Sequence, residues 1–267
     1  MSFFARILAL SVVLIAPLLP PVLAQSNASS HDAGPSNLRA EAEQIFALAN
    51  QARAQAGVGR LGWDPALAEA ALYHCRRMVR EGPIAHRYGG EPDLAARAAE
   101  AGARFGVIEE NVAIGPSPEG IHEEWMNSPG HRANLLSPDV DRVGVAVIAS
   151  RGVLYAVADY SEGVPALSPP QVEARVAALI RVSGVTILGN PGLARAACAA
   201  DSGVPRAPGA LQPRFVMRWQ DSDLTRLPQA LVDRLSSGEY RQASVGSCPA
   251  RGGQGSFTVY RVAVLLY

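Results

Sequence analysis

Apolar residues recur at helical spacing from about Leu38, where Ile45, Leu48 and Ala49 share one face of a segment that ends near Gly57. Asp64-Pro65 reads as an N-cap with proline at the first helical position. The helix it opens runs through Leu67, Ala71, Leu72 and Cys75 to about Glu81, and Gly82-Pro83 stops it. A third helix is expected over about Pro92–Ala103. A fourth begins after Pro118, carries Ile121 and Trp125, and is broken by Ser128-Pro129-Gly130. Val143–Ile148 and Val153–Tyr160 are apolar or alternating runs separated by Ser150-Arg151-Gly152, the pattern of a β-hairpin. Helices followed by an antiparallel hairpin imply an α+β layer arrangement for this half.

Pro165–Pro170 is proline-rich and marks a boundary, so residues 38–164 and 165–267 are read as separate α+β regions, the second the smaller. Leu188-Gly189-Asn190-Pro191-Gly192-Leu193-Ala194-Arg195-Ala196-Ala197 resembles Leu61–Ala71 with one residue dropped. A helix precedes each string (Glu43–Gly57 and Gln171–Gly184), and each half ends in two strand-like runs, the second pair within Tyr240–Tyr267. The second region is therefore either a degenerate repeat of the first or a chance likeness of two Ala-rich helices. No histidine follows His131, so the second region lacks imidazole chemistry.

The amino terminus changes the picture of where the chain works. Residues 1–24 read as an export signal: one early arginine, an apolar run over Ile7–Leu19, and Val22-Leu23-Ala24 as a small-residue cleavage site. Residues 25–37 are a polar linker containing His31. The mature chain is expected to be secreted or periplasmic, with no stable membrane span. Zero formal net charge argues against a nucleic-acid partner. Of three cysteines in an oxidising compartment, Cys198 and Cys248 lie in the second region and are expected to pair, leaving Cys75 as a buried thiol.

Candidate chemistry narrows to a few positions. His74 sits inside the second helix and reads as a helix-surface or partly buried side chain. His122-Glu123-Glu124 fails the H-e-x-x-H zinc pattern because Met126 stands where the second histidine belongs. No G-x-S-x-G elbow is present, and Ser117 between Pro116 and Pro118 reads as a helix cap. Gly252-Gly253-Gln254-Gly255 reads as a turn. His86 and His131 each follow a helix stop and are placed on irregular backbone, where functional side chains concentrate.

Three strings then carry a resemblance: Ala85-His86-Arg87-Tyr88-Gly89-Gly90 with Leu94 and Arg97, Glu109-Glu110-Asn111-Val112-Ala113, and Trp125-Met126-Asn127-Ser128-Pro129-Gly130-His131-Arg132-Ala133-Asn134-Leu135-Leu136. Together they resemble the CAP superfamily (SCP-like extracellular, cysteine-rich secretory proteins) of bacterial type over about Leu38–Glu162. The resemblance implies a three-layer α-β-α sandwich and a cleft lined by two histidines and two glutamates. His86 and His131 take the histidine positions and Glu110 the first glutamate. Ser128 stands where animal and plant members carry the second glutamate, and Glu124, four residues earlier on the same helix face, is the substitute within reach. Such a set binds a divalent metal, Zn²⁺ being the natural choice with His86 and His131 as ligands, or works as an acid–base pair, or forms a structural His–Glu network. The corresponding functions are a binding module for a metal or a small apolar or lipid-like ligand, a peptidase-like hydrolase, and a non-catalytic protein that docks an envelope partner.

Overall fold

The computed structural model describes residues 35–200, 202–203, 209, 211–250 and 256–267. The export signal, His31 and the Gly252–Gly255 turn lie outside them. The caps written in the sequence set the helix starts. Asp64 accepts from Ala66 and Leu67 N–H at 2.8 and 3.3 Å, and Ser117 accepts from Gly120 N–H at 3.2 Å.

The first half runs α1 (Pro35–Gln55), β1 (Gly62–Trp63), α2 (Pro65–Glu81), α3 (Leu94–Glu100), β2 (Phe105–Gly115), α4 (Pro118–Asn127), α5 (Pro129–Leu136), β3 (Arg142–Ser150) and β4 (Val153–Gly163). Its sheet has the order β1-β3-β4-β2, with β1 parallel to β3 and the other pairs antiparallel. Side chains alternate across this sheet. Val143, Val145, Val147, Ala156, Ala158 and Tyr160 pack against α1, α4 and α5, while Ala146, Val112 and Val157 pack against α2. The first half is thus a three-layer α-β-α sandwich. Gly144 is required at the α2 contact, because a Cβ there would lie 2.0 Å from Ala68 N.

Two departures from the sequence expectation bear on the site. The chain breaks at Ser128 as expected but resumes as α5, so His131 lies in a helical first turn and not on irregular backbone. Strand β2 went unread because Glu109 and Glu110 interrupt its apolar run in mid-strand.

The second half runs α6 (Pro169–Arg181), β5 (Thr186–Ile187), α7 (Gly192–Ala199), β6 (Phe215–Asp221), α8 (Gln229–Ser236), β7 (Gln242–Cys248) and β8 (Tyr260–Leu266). Its sheet order, β5-β7-β8-β6 with β5 parallel to β7, reproduces that of the first half strand for strand. Gly246 in β7 repeats the role of Gly144, since a Cβ there would lie 2.2 Å from the backbone of α7. Of the two readings offered by the sequence, topology favours a degenerate repeat. Cys198 and Cys248 form a disulfide, and Cys75 is a free buried thiol.

Candidate functional site

The site forms where the two helical layers reach around the outer edge of β2. Alternation sends Glu110 to the α2–α3 face and Asn111 to the α5 face. Asn111 Nδ2 donates to His131 O at 2.9 Å, and Asn134 Nδ2 donates to Glu110 O at 3.1 Å and Asn111 Oδ1 at 3.0 Å. These bonds fasten α5, and with it His131, to the strand that carries Glu110.

His86 arrives from the other layer, on the loop after α2. Its Nδ1 lies 2.8 Å from Glu110 Oε1, and the guanidinium of Arg97 binds Glu110 Oε2. Arg97 also donates to His86 O at 3.4 Å and stands 3.9 Å from Glu91. His74 is fully buried, contrary to the partly exposed position expected for it. Its ring spans Ala85 O at 2.9 Å and Glu91 Oε1 at 2.7 Å. Glu91 Oε2 accepts from Tyr88 N–H at 2.9 Å. The chain His74–Glu91–Arg97–Glu110 is therefore a buried polar network that clamps the His86 loop from beneath.

Above this network the two imidazoles face each other with ring centroids 6.4 Å apart. The bond to Glu110 raises the His86 pKa, partly opposed by burial and by Arg97. Burial lowers the His131 pKa, the charge of His86 adds to this, and Glu124 opposes it. His131 Nδ1 is buried with no hydrogen-bond partner among the described residues. Directly across the strand pair from Glu110 is Asp159, fully buried, whose carboxyl is pushed well above the usual range by burial and then by Glu110.

The structure thus brings His86, Glu110 and His131 together. Glu124 is exposed and meets the group only through its charge on His131, while Ser128 occupies the N-cap of α5 without a side-chain cap bond. His122 is half-buried on α4, and burial lowers its pKa. The Cys75 thiol, pushed up to about 12 by burial, donates to Tyr155 O at 3.2 Å and takes no part.

The sequence pattern does not reveal the roles of Glu91 and Asp159 or the buried bonds of His74, and Arg97 stands out only as a charged residue in an Ala-rich helix beside the first motif. The pairing of Asp159 with Glu110 depends on the register of β2, a strand that the apolar pattern does not show.

A metal ion was the first chemistry expected of this set. Among the described residues, no group of three or more His, Cys, Asp or Glu side chains is arranged to hold one. Both Glu110 oxygens are already occupied, so the donors left are two imidazoles. With metal–nitrogen bonds of about 2.0–2.1 Å, rings sharing an ion in tetrahedral geometry sit about 5 Å apart. The observed 6.4 Å is a wider version of that arrangement. The residues fit an open two-imidazole site backed by a carboxylate, not a closed structural cage. Room for apolar material lies elsewhere: a groove of about 990 Å³ is lined by α1, α2 and β3.

The first half of the chain is similar to known proteins. The profile of the cysteine-rich secretory protein family, CAP, matches residues 46–160. Uncharacterized protein YkwD of Bacillus subtilis is 29% identical over 123 residues, 45% of this chain and 47% of that protein. Uncharacterized membrane protein YlbC of the same organism is 34% identical over 110 residues, 39% of this chain and 31% of that protein. The chain therefore spans less than half the length of either relative. A solved structure of an extracellular SCP-domain protein from Bacillus anthracis is 25% identical, with a TM-score of 0.44, over 48% of this chain and 43% of that one. No helix among the described residues is long and apolar enough to cross a membrane. Residues 46–160 of this chain are a domain of the CAP family.

Proposed function

We propose that this chain is an exported binding module of the cell envelope or medium, and that its cleft takes a divalent metal ion, zinc by preference, between His86 and His131. One observation carries the reading: His86 Nδ1 is bonded to Glu110 Oε1 at 2.8 Å, while Arg97 holds the other oxygen. A carboxylate behind an imidazole fixes its tautomer and orientation and leaves Nε2 as the ligating atom. The bound ion would supply a Lewis-acid position open to water or to a small ligand. Glu110 positions His86, Arg97 balances the charge of Glu110, and burial keeps His131 in the neutral form that ligation needs. Because the Glu110 bond favours protonated His86, uptake weakens as pH falls.

Calorimetry on the purified chain tests this. About one Zn²⁺ per chain is expected, with uptake lost in His86→Ala and in His131→Ala. Glu110→Gln should weaken affinity by roughly 10–100-fold. Zinc uptake unchanged in both histidine variants refutes the site.

The opposite pKa shifts of His86 and His131 favour a second reading, a peptidase-like hydrolase with the two imidazoles as acid and base. Turnover of a peptide library that disappears in Glu110→Gln would select it.

A further inference from the structure

The sheet of the first half has two outer edges, and they are finished differently. On β2, Asn134 Nδ2 caps Glu110 O and Trp125 Nε1 caps Val112 O at 3.2 Å. On the far side, β1 is two residues long and pairs only with Arg142 and Val143. Asp64 N–H donates to Val143 O at 2.9 Å, which assigns the outward direction to Val143 and, by alternation, to Val145, Val147 and Ala149. Among the described residues, no backbone or side-chain hydrogen bond reaches Val145 or Val147 from that side.

The second half shows the same edge closed. Counting from the two helix-contact glycines, Gly144 and Gly246, Ser247 is the counterpart of Val145. Ser247 N–H donates to Glu173 Oε1 at 3.0 Å. Glu173 on α6 is also held by Arg195 on α7 through two bonds of 2.7 and 2.8 Å, so the two helical layers are tied together across the edge. In the first half a groove of about 990 Å³ lies between α1 and α2, with Leu38, Ala42 and Phe46 on one wall, Ala68 and Leu72 on the other, and half-exposed Trp63 at the end of β1.

We propose that the free edge of β3 is a strand-addition site for an extended, uncharged, apolar peptide segment. A row of outward N–H and C=O groups selects a peptide backbone over a hydrocarbon chain, which would leave them unpaired. The rim selects a neutral segment: Arg39 and Glu43 pair with each other at 3.0 Å, and Glu69 and Arg76 bring one charge of each sign. Helices from both layers overhang the edge, so an added strand is covered on both faces and wants apolar side chains on both. The free stretch, Gly144–Ser150, spans about 23 Å, enough for about six residues.

The test uses the peptide acetyl-Thr-Val-Ala-Val-Thr-Val-amide and the same peptide N-methylated at alternate residues, in both registers, with the chain from residue 25 onward. Amide hydrogen exchange at Val145 and Val147 should slow by about tenfold or more with saturating parent peptide. N-methylation in the register that faces β3 should abolish this. Val147→Pro removes one outward donor without touching the β4 ladder and should weaken binding, with the fold checked by circular dichroism. Equal binding of all peptide forms, or palmitate binding with none by peptide, overturns the proposal in favour of a simple apolar groove. Protection already present without peptide overturns it too: a sedimenting dimer names a second copy as occupant, and loss of protection on removing residues before Pro35 names the chain's own leader. No effect at about 1 mM peptide also overturns it.

Discussion

Replacing Arg97 by methionine is the sharpest probe of the cleft. The guanidinium is 1% exposed and the Glu110 carboxylate 4%, so the pair is screened little by water. Arg97→Met keeps the aliphatic stem and strands three buried acids, Glu91, Glu110 and Asp159, with no arginine among them. Removing one partner of a buried pair typically costs about 3–5 kcal/mol. That range applies here because the bonds from Arg97 to His86 O and Pro92 O are lost as well. Urea unfolding at pH 7, followed through buried Trp125, measures the loss. A second readout separates positioning from plain stability. Arg97 opposes protonation of His86, so the NMR titration midpoint of His86 should rise in Arg97→Met. In Glu110→Gln it should fall, because the bond that raises it is gone. A loss under about 1 kcal/mol, or a His86 midpoint that stays put in both variants, would show that the buried network does not govern the cleft.

Three further outcomes follow from the same structure. Arg53 donates to Gly59, Leu135, Ser137 and Val140 carbonyls at 2.6–3.0 Å, so Arg53→Met should cost about 3–5 kcal/mol by urea denaturation, and lysine should recover under half of it. The Cys198–Cys248 bridge closes a separation of 50 residues, and its loss in the double alanine variant should destabilise the second half by about 4 kcal/mol in thermal unfolding. Asp159 has a raised folded pKa, so its contribution is intact below the unfolded carboxylate range and is lost as pH rises from there through the raised folded value. Asp159→Asn should therefore gain stability relative to the parent between pH 4 and pH 7, and equal pH slopes would contradict this.

What was legible in the sequence was local. Asp64-Pro65 and Ser117-Pro118 announced α2 and α4 because capping needs only neighbours within three residues. The hairpin was readable because Arg151 and Gly152 adopt positive φ, 53° and 78°, as a tight turn between twisted strands demands. The meeting of His86, Glu110 and His131 was reached through motif resemblance, not spacing, since nothing in periodicity links a loop, an edge strand and a helix start. The His74–Glu91–Arg97 support was beyond reach for the same reason. Burial of a helical histidine is decided by which face meets the sheet, and Glu91 lies on a loop whose path no pattern gives.

The second half separates what the fold needs from what the cleft needs. Register assigns counterparts: Gly144, Asp159 and Glu110 lie abreast on β3, β4 and β2, and Gly246, Ala263 and Arg218 lie abreast on β7, β8 and β6. The glycine is retained in both because a helix backbone passes within van der Waals distance of the strand, and any Cβ would collide. The acids are not retained. Arg218 stands where Glu110 would, and spends its donors on Ala197 O and Gly203 O at 2.6 Å each. Ala263 replaces the buried carboxyl of Asp159. The same sheet order forms in the second half without an acid pair, so the topology does not require one, and the groups that Glu110 contacts in the first half, Arg97 and His86, lie at the cleft.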